Sequence, residues 1–145
     1  MAQRTKAREV ALQMLYQKDL NPEIPTEAIR AQISQQLDRE SLADFAWLLF
    51  AGVMENIGQI DTQIEQASDN WRISRMAPTD RNSIRQGAFE MQFTDTDHRV
   101  VIDEMVELAR LFGGPNSSAF VNGVLDQLVP AEKRETTSDE SKPKD

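Results

Sequence analysis

The chain has no cysteine, which excludes a disulfide scaffold and the usual cysteine-rich structural zinc sites. Its single histidine, His98, leaves no histidine pair for a helical metal site, and a lone histidine in a turn reads as a surface residue, not a general base. Neither GxxxxGK[ST] nor GxGxxG occurs, and Gly113-Gly114 follows a helical pattern where a phosphate loop would follow a strand. Long apolar runs are also missing. The longest, at 45–54, is too short to span a bilayer, and the N-terminus lacks the apolar core of an export signal. Glu104 and Glu107 share a helix face, but carboxylates at that spacing on an exposed helix read as solvated. With no catalytic site to assemble, the chain is expected to be a cytoplasmic binding protein without enzymatic activity, cofactor, metal or membrane segment.

The 145 residues are one domain's worth, and the net charge of −8 is unevenly spread. Residues 1–18 carry a local +3, whereas 19–70 carry ten acids against two bases. Arg72, Arg75, Arg81, Arg85 and Arg99 then return cations to 71–99. Such segregation lets one surface attract phosphate while another meets a basic partner.

Helical periodicity runs through the chain and no strand alternation is convincing. The first helix, 1–18, puts Ala7, Val10, Ala11, Met14 and Leu15 on one face. Asn21-Pro22 breaks it, and a modest helix is predicted over 26–37. Ser41, with Asp44 three residues on, is predicted to cap the strongest helix, whose nearly all-round apolar surface places it at the centre of the fold. Asn56 and Gly58 separate it from a pattern ending near Asn70. Pro78 suits the first turn of the next helix, whose buried face is Ile84, Ala88, Phe89 and Met91. A further helix begins near Val100 and is stopped by Gly113-Gly114-Pro115. Asn116 or Ser117 caps the last, in which Gly123 is expected to allow a close helix approach. The expectation is an all-α domain of about seven helices over 1–130, in two packed bundles of about 1–70 and 71–130. Residues 131–145 read as a disordered polar tail.

A second row lies beside the apolar face of the first helix. Arg4, Arg8, Leu12 and Tyr16 follow at four-residue spacing, with Lys6 adding a third cation. Cations suit phosphates and the tyrosine ring offers a stacking face, so the ridge fits a flexible anionic polymer such as RNA. The plainer alternative is a solvated helix start with a half-buried tyrosine. The cations sit against the helix dipole, a clash of only ~0.3–1 kcal/mol each. On the ridge reading, Arg8→Ala is expected to weaken RNA binding while melting stays nearly unchanged. Three phosphate contacts give a log–log salt slope of roughly −2, at about −0.7 each for single strands.

Three stretches together resemble the NusB family of bacterial transcription antitermination factors: RTKAREVALQMLYQ at 4–17, NWRISRMAPTDRNSIRQGAFEM at 70–91, and VVIDEMVELARLFGGPNSSAFVNGVLDQL at 100–128. They occur in the family's order and spacing, and the last is the most specific. The resemblance implies two three-helix subdomains built around the N-terminal helix. It implies binding of single-stranded boxA RNA from rRNA operon leaders, jointly with NusE, a small-subunit ribosomal protein. That pair joins an elongation complex with RNA polymerase and other Nus factors and suppresses premature termination. The family's RNA-binding positions fall on Arg4, Lys6, Arg8, Tyr16 and Phe120, and its NusE-side positions on Asp80 and Asn116. An acidic surface suits NusE, because ribosomal proteins are generally basic. Phe120 reads equally well as a core anchor.

The chain departs from the family pattern at several points. Three spaced cations replace a denser arginine cluster, Gly113-Gly114-Pro115-Asn116 replaces a more charged loop, and Met105 stands where alanine is common. Ser83 and Gly87 occupy usually apolar positions. Two other readings compete with antitermination. One is the RNA-guiding domain of an rRNA cytosine methyltransferase, which the polar residues after 129 disfavour. The other is a helical adaptor or self-associating bundle without RNA affinity, and a homodimer of the free chain stays open.

Overall fold

The computed structural model of the chain describes residues 2–134, and these residues form an all-α fold. The helices are α1 (Ala2–Leu20), α2 (Thr26–Gln36), α3 (Glu40–Glu55), α4 (Ile57–Ala67), α5 (Pro78–Phe93), α6 (His98–Phe112) and α7 (Ser117–Gln127). A single 3-10 turn, Ile73–Arg75, precedes α5. The disordered tail expected at 131–145 falls mostly outside the described residues, but its first part is ordered: 131–134 form a helical turn. Lys133 explains the order. Its Nζ donates to the main-chain oxygens of Met91, Thr96 and Thr94 at 2.8, 3.1 and 3.3 Å, placing a cation on the free carbonyls at the end of α5.

Local chemistry accounts for most boundaries. Lys18 donates to Pro22 O and Ile24 O, both at 2.7 Å, and ties the proline break back onto α1. Pro78 is at the start of α5, where its missing N–H costs nothing. Asp97 caps α6 by accepting from the Arg99 amide at 2.8 Å, so His98 lies in the first turn of a helix and is largely buried, not in an exposed turn. Ser41 does not cap α3. Leu42 and Ala43 both donate to Arg39 O, so the helix starts at Glu40, which sets a negative charge in the first turn. At α7, Asn116 is the cap residue but makes no side-chain cap bond; Ser117 Oγ instead accepts from the Gly114 amide at 2.9 Å.

In the packing, α1 lies chiefly on α3, α5 on α6, and α6 on α7, while α1 and α3 each also pack on α5. A single hydrophobic cluster runs through all seven helices, from Ala7 to Val129. The central helix is α5, not α3. Residues 82–91 are buried without interruption, whereas Leu48 on α3 is 47% exposed. Apolar content misplaces the centre because α5 buries polar side chains that find partners: Asn82, Arg85, Gln86 and Glu90. Ser83 Oγ and Gln86 Oε1, both on α5, are buried without a hydrogen-bond partner among the described residues.

Those partners clamp α5 to α1 at both ends. At one end, Arg8 donates through Nε to Glu90 Oε1 at 2.9 Å and through Nη2 to Oε2 at 2.7 Å, with the two side chains 2% and 0% exposed. Arg8 also donates to Glu104 Oε1 at 3.0 Å, and Thr5 Oγ1 donates to the same oxygen at 2.6 Å. Burial opposes the Arg8 charge, but the bonds it donates to Glu90 and the charges of Glu90 and Glu104 outweigh it and raise the guanidinium pKa. Gln86 adds a bond to Arg8 O at 3.0 Å. At the other end, Asp19 accepts from Arg81 at 2.6 Å and Asn82 at 2.8 Å, and Arg85 pairs with Asp61 of α4 at 2.8 Å. The pairing of residue 8 with 90 and of 19 with 81 makes α1 and α5 antiparallel. Two expectations are therefore overturned. Arg8 is an interior residue, because two carboxylates lie where the ridge was expected to meet solvent. Glu104 is an acceptor in this cluster, and only Glu107 is a solvated carboxylate, paired with Arg110.

Glycines set two close crossings. A Cβ at Gly52 would stand 2.1 Å from the Phe89 ring, so α3 meets α5 there. A Cβ at Gly87 would stand 2.9 Å from Leu125 and 3.3 Å from Met105. The two departures from the family pattern thus compensate, the larger Met105 filling space beside the smaller Gly87. Gly123, expected to allow close approach, faces open space.

Arg8→Ala strands the Glu90 carboxylate in the core, and unfolding in urea is expected to show a loss of ~3–5 kcal/mol. The double substitution Arg8→Met with Glu90→Leu, which removes both charges, recovers most of that loss. Gly52→Ala is expected to cost ~1–3 kcal/mol through overpacking against Phe89, whereas Gly123→Ala stabilises by up to about 1 kcal/mol through helix propensity. Hydrogen bonds from the Arg99 side chain and amide hold the Asp97 carboxyl at about 2, below its ordinary value of 3.8. Its contribution is present above that ordinary value and lost as pH falls towards about 2. Acid unfolding of Asp97→Asn is expected to lack that part of the pH dependence.

Candidate nucleic-acid interface

The four ridge positions do not share one surface: Arg4 and Tyr16 are exposed, whereas Arg8 and Leu12 are buried. Arg4 is exposed, with its guanidinium carbon 4.2 Å above the centre of the Phe45 ring, an arrangement that holds the cation in place without neutralising it. Lys6 is 53% exposed, with Glu9 at 3.5 Å one turn on. Arg8 is 5.3 Å from the centre of the same ring and is bonded inward to Glu90. The surface cations of α1 at this end are thus Arg4 and Lys6, and Phe45 of α3 is the platform that orients Arg4.

Tyr16 is nearly three turns further along α1 and 39% exposed. It lines a hollow of about 370 Å³ together with Leu12, Gln13, Gln17, Thr79 and Phe112. The walls are the middle of α1, the start of α5 and the end of α6. Asp80 follows Thr79 in the first turn of α5, and its Oδ1 is buried without a hydrogen-bond partner among the described residues. Asn116 is exposed on the loop that leaves α6 after Phe112. Tyr16 is therefore next to the segments carrying Asp80 and Asn116, apart from Arg4 and Lys6.

Phe120 is elsewhere. It is half-buried on α7, packs against the core, and its ring centre is 6.3 Å from that of Trp71. It lines a second hollow, of about 590 Å³, which shares no lining residue with the one at Tyr16. Trp71, to which periodicity gives no role, is 56% exposed. The signal available was its place beside Arg72 in a chain with two tryptophans. Among the described residues no group of acidic residues and histidine is arranged to hold a metal ion, and no helix is long and apolar enough to cross a membrane.

Comparison with known proteins agrees with these features. A family model described as NusB family matches residues 5–130. The transcription antitermination protein NusB of Helicobacter hepaticus is 41% identical over 141 residues, covering 97% of this chain and 90% of that protein. NusB of Anaeromyxobacter dehalogenans is 42% identical over 130 residues, covering 88% and 91%. Among solved structures, NusB from T. maritima superposes with a TM-score of 0.80 at 29% identity, covering 91% of this chain and 96% of that one. A chain in the crystal structure of the antitermination factors NusB and NusE in complex with dsRNA does so with a TM-score of 0.80 at 27% identity, covering 89% and 97%. An all-α fold, the three matching stretches and this likeness along almost the whole chain lead to one conclusion: the chain belongs to the NusB family.

Proposed function

We propose that this protein is an RNA-binding transcription antitermination factor that binds boxA RNA of rRNA operons together with NusE and helps RNA polymerase avoid premature termination. The observation that carries the reading is the family match over residues 5–130, joined to the likeness to NusB in a complex with NusE and dsRNA. It works in the cytoplasm, within an elongation complex, and by binding alone, without a catalytic step of its own.

The residues divide by what surrounds them. Arg4 and Lys6 supply phosphate contacts, Arg4 from its perch on Phe45. Arg8 acts behind them, fixing the start of α1 through Glu90 and Glu104. Phe120 offers a ring edge to RNA at the second hollow. Asp80 and Asn116 border the surface for NusE, where the half-buried Asp80 carboxylate adds negative charge suited to a basic protein. Tyr16 keeps its role as a base-stacking ring, at the margin between the RNA and NusE surfaces.

Fluorescence anisotropy with a boxA oligonucleotide and a scrambled control, each with and without NusE, tests the function directly. Sequence-dependent binding strengthened by NusE is expected. Binding to neither oligonucleotide, even with NusE present, would leave the helical adaptor as the better reading. Because Arg8 is committed internally, Arg4 and Lys6 contribute roughly −1.4 to the log–log salt slope, at about −0.7 per phosphate. Arg4→Ala is expected to flatten that slope with melting unchanged. Tyr16→Ala is expected to cost ~1–3 kcal/mol of RNA binding. Unaltered RNA affinity with weaker NusE binding would move Tyr16 to the protein surface.

A further inference from the structure

We propose that Trp71, backed by Phe120 and flanked by Arg72 and Arg75, is a second RNA contact, which stacks one unpaired base at the junction of the two halves of the chain. The proposal rests on the RNA-binding reading above and adds a subsite to it.

The tryptophan is held out by its own backbone. Asp69 and Asn70 both adopt left-handed conformations, with φ of 57° and 65°, which few residues other than Asn, Asp and Gly adopt readily. The turn is locked on both sides. Asn70 N donates to Glu65 O at 2.7 Å, Trp71 N to Ser68 O at 3.2 Å, and Ile73 N to Glu65 Oε2 at 2.9 Å. A large apolar side chain 56% exposed on so fixed a turn is positioned for something outside the chain.

The surroundings favour a nucleobase. Trp71 lines two hollows, one of about 590 Å³ shared with Phe120 and one of about 290 Å³ shared with Asn70, Arg72 and Arg75. Arg72 and Arg75 are exposed, and neither guanidinium has an ion-pair partner among the described residues. Asp69 borders the larger hollow and repels phosphate from it. A base therefore stacks on the open side of Trp71, with Phe120 packed against that ring, while the backbone runs over the arginines. An aromatic face beside unpaired cations is what single-stranded nucleic acid requires, since every base has a stacking surface and every linkage a charge.

The test uses the full chain with NusE and a fluorescently labelled single-stranded boxA oligonucleotide. Trp71→Ala is expected to weaken binding about 5-fold to 100-fold, the span of one base–aromatic stack. Trp71→Phe, which keeps a ring, is expected to retain most of the affinity, and both variants to melt like the unaltered chain. Arg72→Ala with Arg75→Ala should reduce the log–log salt slope by about 1.4. In a Trp47→Phe chain, where Trp71 is the remaining indole, RNA is expected to quench the emission. RNA binding by the unaltered chain with undiminished affinity in Trp71→Ala and no quenching would overturn the subsite and leave the antitermination reading intact. Loss of NusE binding alone in Trp71→Ala would overturn it too, assigning this face to the protein partner. Absence of RNA binding by the unaltered chain would sink both readings.

Discussion

A guanidinium removed from water is tolerated only where carboxylates meet it with good geometry, and the contact of Arg8 with Glu90 satisfies that condition at the middle of the fold. The bidentate bond joins the first helix to a helix eighty residues later, and Glu104 brings α6 to the same point. A hydrophobic contact would tolerate sliding or rotation of α1. A fork of two hydrogen bonds does not, so it sets both the axial position of α1 on α5 and its rotation. The Asp19 cluster at the opposite end fixes the direction. Burial opposes the Asp19 charge, but hydrogen bonds from Arg81 and Asn82 prevail and hold its carboxyl below the ordinary value of 3.8.

The rotation of α1 decides what its surface can do. With Arg8 turned inward, Arg4 and Lys6 remain outside, and the Phe45 ring contacts both arginines. The same rotation sets Tyr16 at the hollow formed with α5 and α6. A change in the buried pair would therefore reach every surface feature of α1, although none of them touches Glu90. The exposed face of the N-terminal helix depends on a contact buried beneath it.

The surfaces form a sequence along the molecule, not a single site. Cations lie at the start of α1, the apolar hollow near Asp80 is walled by the later part of α1 with α5 and α6, and the Trp71–Phe120 pair joins α7 to the turn before α5. A net charge of −8 is compatible with RNA binding because the charge is unevenly placed: Arg4, Arg72 and Arg75 are exposed without an ion-pair partner among the described residues, while Asp19, Glu90 and Glu104 are paired internally.

Periodicity and punctuation in the sequence were enough to establish seven helices, the breaks at Pro22 and Asn56, the start at Pro78 and the stop after Phe112, because those depend on neighbouring residues alone. The family followed from three stretches for the same reason, since motif order is a property of the chain. Which helix is central, and which cation is interior, were decided only by tertiary structure. Apolar content pointed to α3, but α5 is buried all round because its Arg85, Gln86 and Glu90 find partners on α1, α4 and α6. Arg8 and Arg4 are the same residue type one turn apart on one helix. Only the arrival of Glu90 and Glu104 from distant parts of the chain makes one a structural ion and leaves the other for solvent.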